Sequence, residues 1–204
     1  MEIITLSGLD GSGKSTQIEL LKEFLKRQGK SFYYFHAVSF SVAQRLNLSD
    51  LLKLGLNEKP AKGVIKANWL QIQLRKLALL IDILRFKRLT KKLKVDYIIS
   101  DRYFYDSVVN INYLSNKNKK LFAERFIPKP DFAFFIRINP EIIMQRERKP
   151  DQGLEYLIAK EKIYKNRTKD WKMIVVNGEN DKKDVGEEII FKFKSKMSNP
   201  HIKS

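Results

Sequence analysis

With 204 residues, 43% of them hydrophobic and 31% charged, the chain has the length and composition of one globular domain with a substantial apolar core. Its 40 Lys and Arg against 23 Asp and Glu give a formal net charge of +17, but the lysines are scattered over nearly every segment, as on a solvated surface, and form no polybasic arm. The lack of cysteine excludes disulfides, thiolate catalysis and cysteine-ligated zinc.

The first element, at residues 2–6, is a strand that leads straight into a glycine-rich loop. No signal peptide is therefore expected. The longest apolar run, 77–84, contains Asp82 and falls far short of the roughly 20 residues a membrane span needs. The expectation is a cytoplasmic protein without a membrane segment. Residues 15–28 form an amphipathic helix with Ile18, Leu21 and Leu25 on one face and Gly29 as its C-cap. A second strand follows at 31–35. The segment 64–93 has no internal Gly or Pro and reads as one long helix, with Leu70, Leu74, Leu77, Ile81 and Leu84 as its core face. Leu79, Leu80 and Ile83 are also apolar, so the helix can serve a dimer interface as well. Further strands are expected at 97–100, 132–138 and 173–176, and Asn139-Pro140-Glu141 reads as a helix N-cap with proline at the first helical position.

These strands are rich in aromatic and β-branched residues and show no charge alternation, the pattern of strands buried on both faces of a parallel sheet. With helical crossovers between them, they predict an α/β fold: a three-layer α/β/α domain around a five-stranded parallel sheet. One domain spans 1–197 and a frayed tail 198–204.

The loop Gly8-Leu9-Asp10-Gly11-Ser12-Gly13-Lys14-Ser15-Thr16 meets the pattern G-x-x-x-x-G-K-[ST]. Its glycines let backbone N–H groups turn inward around phosphates without Cβ clashes. Lys14 supplies a cation for the β and γ phosphates of ATP, and the Ser15 hydroxyl can coordinate Mg²⁺. The helix behind the loop aims its positive end at the same anion. A preceding strand and a following helix are the context this motif requires. The pattern does not by itself separate kinases from other P-loop proteins. However, no Asp-x-x-Gly switch follows a later strand beyond the phosphate loop and no Asn-Lys-x-Asp guanine motif is present. Instead, Asp101-Arg102-Tyr103 follows the third strand. There Asp101 can reach the metal shell and Arg102 can hold a second phosphate facing the first, as in-line phosphoryl transfer needs.

With these residues the chain resembles the thymidylate kinase family, as do Lys129-Pro130-Asp131 and Asn139-Pro140-Glu141 with Arg146. The resemblance runs in matching order from residue 1 to about 190. It implies that Asp10 contacts the acceptor sugar, Arg102 binds the acceptor phosphate and Asp101 serves the metal site. It further implies that Arg146 opens a mobile lid at about 146–154 and lies against adenine, and that the protein is a homodimer. In the family a catalytic arginine sits in the phosphate loop or in the lid. This loop has Gly11 and Ser12 where such an arginine would stand, so the lid residue Arg148 is the candidate for the transferring phosphoryl.

The acceptor-base motifs depart from the family. Residues 35–40 replace its Arg-Glu-Pro stretch, and Asp106-Ser107-Val108-Val109-Asn110-Ile111, or a version shifted by one, stands where it has Ser-x-x-Ala-Tyr-Gln. Its Phe-x-x-x-Arg becomes Ile81-Asp82-Ile83-Leu84-Arg85, which keeps the arginine and loses the ring. Acceptor contacts are expected from Arg85, Tyr103, Tyr105, Asp106 and Asn110, with Phe35 and Phe40 as further stacking candidates; His36 receives no role. The function implied is a Mg²⁺-dependent nucleoside monophosphate kinase using ATP, with dTMP the leading acceptor. One alternative is a kinase for a nucleoside or other small metabolite, which needs a carboxylate base and has only Asp106 to offer. Another is a nucleotide-binding module that docks nucleic acid, disfavoured by the scattered lysines.

Overall fold

A computed structural model describes residues 1–42, 68–147 and 149–198. Five strands form one all-parallel sheet: β1 (Glu2–Gly8), β2 (Phe32–His36), β3 (Tyr97–Asp101), β4 (Phe132–Arg137) and β5 (Ile174–Asn177), in the order β2-β3-β1-β4-β5. The three central strands are buried on both faces, as their uninterrupted apolar runs require. The edge strands β2 and β5 depart from that expectation. Tyr33 and Tyr34 on β2 and Val175 on β5 stand exposed, because each edge strand is only partly covered.

Side-chain alternation splits the core into two layers. Ile4 and Leu6 of β1 point toward α1 (Lys14–Arg27) and a C-terminal helix (Lys182–Ser198), meeting Ile18, Leu21 and Leu25 of the first and Val185, Ile189 and Phe193 of the second. Ile3 points the other way, toward a layer built on three helices. These are α3 (Trp69–Lys92), α4 (Phe104–Leu114) and α6 (Gly153–Arg167). Two short helices, α2 (Ala37–Phe40) and α5 (Pro140–Met144), follow β2 and β4. Gly29 ends α1 with φ of 64°, the left-handed position that glycine supplies at least cost. Asn139 caps α5 by accepting from the Glu141 N–H at 3.0 Å. Asp131 accepts the Ile3 N–H at 2.8 Å and so ties the start of β1 beside β4.

The long helix turns a different face inward than its leucine spacing suggests. Ala78, Leu79, Asp82, Ile83 and Phe86 are buried, whereas Leu70, Leu77, Ile81 and Leu84 are 37–54% exposed. Phe86 decides the face, since it enters a cluster of tilted and edge-on rings with Phe35, Tyr103 and Phe104. The start of the predicted helix at 64–67 and most of the tail at 198–204 lie outside the described residues.

Candidate active site

The parallel register places the functional segments together at the carboxyl ends of the strands, where open α/β sheets bind ligands. Leu6 of β1 is opposite Asp101 of β3, and the Arg102 N–H donates to Leu6 O at 3.3 Å. The phosphate loop leaves β1 at Gly8. A Cβ at Gly8 would lie 2.8 Å from both Ile136 O and Ser12 Oγ, so only glycine lets the loop pass β4. Gly13 enters α1 with φ of 87°, again a left-handed conformation.

Lys14 is buried under the loop. Its Nζ donates to Gly8 O at 3.1 Å, Leu9 O at 2.6 Å and Ser12 Oγ at 3.3 Å. Burial, helped by the Arg102 charge, pulls its ammonium pKa below the ordinary lysine value despite Asp10, Asp106 and Asp101 nearby. Ser15 and Thr16 stand exposed at the mouth of the loop. Arg146 spans the same loop, donating from Nη1 to Gly11 O at 2.7 Å and from Nη2 to Gly178 O, beyond β5, at 3.4 Å. It follows α5 rather than lying on it, because that helix stops at Met144. Arg148 lies outside the described residues.

Asp101 is buried at the end of β3, where its Oδ2 accepts from the Tyr34 hydroxyl at 3.2 Å. Burial and this carboxylate push the phenol up to about 12, so Tyr34 remains a donor at neutral pH. His36 Nε2 stands 3.9 Å from the same oxygen, while its Nδ1 accepts the Ser39 N–H at 3.1 Å. That acceptance leaves the ring proton of neutral His36 on Nε2. Arg102, next along the chain, has φ of 56°. This left-handed turn is strained for a residue with a Cβ, and it sends the guanidinium back to hydrogen-bond Asp10 of the phosphate loop.

A cleft of about 650 Å³ lies between the phosphate loop, the end of β2, α4 and α6, within the range of small-molecule sites. Asp10 stands at its centre, bonded to Arg102 on one side and accepting from the Tyr156 hydroxyl at 2.9 Å on the other. Burial opposes ionisation of Asp10, but the charges of Arg102, Lys160 and Lys14 outweigh it and hold the carboxyl below its usual range. Asp106 accepts from Ser7 Oγ at 2.6 Å, the Tyr103 N–H at 2.9 Å and the Tyr164 hydroxyl at 2.6 Å.

Of the acceptor residues expected from the sequence, Asp10, Arg102, Asp106 and Asn110 line this cleft. Arg85 does not. Its guanidinium donates to Asp82 Oδ1 at 3.0 Å and Phe40 O at 2.9 Å, lying over the Phe40 ring. Tyr103 and Tyr105 also sit away from it. Tyr103 is buried with its hydroxyl on Pro128 O at 2.7 Å, and Tyr105 stacks on Trp171. Phe35 packs in the ring cluster with Phe40 against it. Sequence reasoning missed His36, Ser107, Tyr156, Lys160 and Tyr164, all on the cleft wall. The last three recur every four residues along α6, the spacing of one helix face, which was the available signal.

Among the described residues no group of three or more His, Asp or Glu side chains converges on one point. A cation here would take ligands from nucleotide phosphates as well as from the chain, the manner of magnesium in phosphotransferases. Also among the described residues, no helix is long and apolar enough to cross a membrane.

A phosphate loop, an acidic residue at the end of the neighbouring strand and an arginine facing the loop across a cleft define a P-loop phosphotransferase. A thymidylate kinase family profile matches residues 6–189, and the chain belongs to that family. It is 26% identical over 195 residues to probable thymidylate kinase 1 of Saccharolobus solfataricus, covering 93% of this chain and 95% of that one. It is 30% identical over 149 residues to the probable thymidylate kinase of Methanothermobacter thermautotrophicus, covering 70% and 68%. A thymidylate kinase structure from Candida albicans superposes with a TM-score of 0.63 at 18% identity, over 98% of this chain and 92% of that chain, and shares the fold.

Proposed function

We propose that the chain transfers the γ-phosphoryl group of ATP to dTMP or a closely related nucleoside monophosphate, with Mg²⁺ held by Ser15, Asp101 and the nucleotide. The observation that carries this reading is Arg102, a cation directed across the acceptor cleft toward the phosphate loop. A kinase whose acceptor had no phosphate would not need it. The family membership and the names of the relatives support the same acceptor.

In this reading the loop amides and Lys14 hold the β and γ phosphates, with Lys14 exchanging the carbonyls of Gly8 and Leu9 for phosphate oxygens. Arg102 aligns the acceptor phosphate, Asp10 meets the acceptor sugar, and Arg146 lies against adenine from its position on the loop. Arg148 would reach the transferring phosphoryl from the lid at about 146–154. Bound magnesium would neutralise charge developing on the phosphate oxygens. A phosphate oxygen is already a competent nucleophile, so positioning and charge stabilisation supply most of the catalysis.

Asp106 bears on the rival nucleoside-kinase reading. Its two oxygens already accept three hydrogen bonds, which suits an anchor better than a general base. A homodimer through α3 belongs to the same proposal. The exposed Leu70, Leu77, Ile81 and Leu84 recur at seven, four and three residues, the spacing of a helix seam. A coupled ADP-release assay with dTMP, dUMP, dCMP, dGMP and UMP tests the function. Turnover with a monophosphate is expected, and none with any of the five would overturn it.

A further inference from the structure

Lys160 lies on α6 with 7% of its surface exposed. Burying an ammonium group is costly unless it is paired and hydrogen-bonded. Lys160 hydrogen-bonds the Tyr156 hydroxyl, and its Nζ is 4.0 Å from Asp10 Oδ2. Arg102 holds the opposite oxygen, Oδ1, of the same carboxylate. One aspartate therefore serves two cations that enter from different walls of the cleft, one from the end of β3 and one from α6. The other charges acting on Lys160 are Lys14 below the loop and Asp106 on α4; Tyr156 on its own helix is bonded to it, and Tyr164 and Lys149 line the same cleft.

Resting on the kinase reading above, we infer that Lys160 and Arg102 form a two-cation clamp for the acceptor phosphate, and that Asp10 stands in for that phosphate in the free protein. A phosphate monoester carries nearly two negative charges and three acceptor oxygens near neutral pH, so it satisfies both cations better than one carboxylate. Its arrival frees Asp10 to accept from a sugar hydroxyl. The clamp selects phosphorylated acceptors over the corresponding nucleosides, which bring no anion to replace Asp10.

The pH dependence follows from the same arrangement. Burial lowers the Lys160 pKa to about 8, with Asp10 and Asp106 opposing and Arg102 and Lys14 assisting. The ammonium is charged below that pH and is lost as pH rises through it. The neighbouring phenols of Tyr156 and Tyr164 are pushed upward, away from this window. The second ionisation of a phosphate monoester has its midpoint near pH 6, so the ligand's phosphate is close to fully dianionic from pH 7 to 9.

Calorimetric titration of the full chain with dTMP and with thymidine, at pH 7 and pH 9, tests the clamp. Wild-type affinity for dTMP should fall about tenfold between the two pH values, as the charged fraction of Lys160 falls by that factor, while thymidine affinity stays flat. Lys160→Gln should weaken dTMP at pH 7 by about tenfold or more with thymidine nearly unchanged. Lys160→Arg should keep the preference for dTMP and flatten the pH profile, since its charge persists. Equal weakening of both ligands, no weakening of either, or a Lys160→Arg profile as steep as wild type would overturn the clamp while leaving the kinase reading intact. Wild-type protein that neither binds nor turns over any monophosphate would overturn the kinase reading itself.

Discussion

Replacing Arg102 with alanine separates the activity of this site from its stability. In the free protein the guanidinium bonds Asp10 and its side chain is 33% exposed. An ion pair that open to solvent contributes under about 1 kcal/mol to folding once screening is counted. Against a bound phosphate the same group can make two parallel charge-assisted bonds, each worth about 1.5–3 kcal/mol. Partial exposure discounts the pair of bonds to roughly 3–4 kcal/mol, or about 10²–10³ in kcat/KM for the acceptor. Arg102 also has φ of 56°, a strain that alanine keeps and glycine relieves by about 1 kcal/mol. Arg102→Ala and Arg102→Gly should therefore lose comparable acceptor activity, while the glycine variant melts higher than the alanine variant. Coupled ADP release with dTMP varied at saturating ATP gives the kinetic loss, and binding of a fluorescent ATP analogue should stay close to wild type. An acceptor kcat/KM within threefold of wild type, or an ATP affinity that falls as much as acceptor use, would refute the reasoning.

Asp106→Asn places an amide donor among three groups that all donate to the carboxylate. It should cost about 2–3 kcal/mol in urea unfolding yet leave kcat of the folded enzyme within tenfold; a thousandfold loss of kcat at unchanged stability would instead mark Asp106 as a base. Lys substitution of both Leu77 and Leu84, which are exposed on α3, should convert a dimer to a folded monomer by light scattering. A wild-type protein already monomeric at high concentration would remove the dimer from the account.

The strands and the phosphate loop were legible because their signals are local. The apolar run before Gly8, the loop glycines and the residues 18, 21 and 25 of α1 each fix one element without outside help. The face of α3 was not, since Leu70, Leu77, Ile81 and Leu84 make as good an apolar stripe as Ala78, Leu79, Ile83 and Phe86. Only the ring cluster around Phe86, drawn from β2, α4 and the N-cap residue Tyr103 before α4, chooses between them. The acceptor wall was obscured for a related reason. Arg85 is held by Asp82 and by Phe40 O, a contact between residues 45 apart in sequence. Tyr156 and Lys160 join the cleft through Asp10, 146 and 150 residues away by number. The four-residue spacing of Tyr156, Lys160 and Tyr164 marks one helix face, but spacing alone does not say what a face meets across pairings of that range.

The most direct test of the proposed transfer follows both products at once. Incubation with ATP, Mg²⁺ and dTMP, resolved by phosphorus NMR, should yield ADP and dTDP in equal amounts, with thymidine unphosphorylated under the same conditions. ADP formed without dTDP, or thymidine phosphorylated faster than dTMP, would contradict a nucleoside monophosphate kinase.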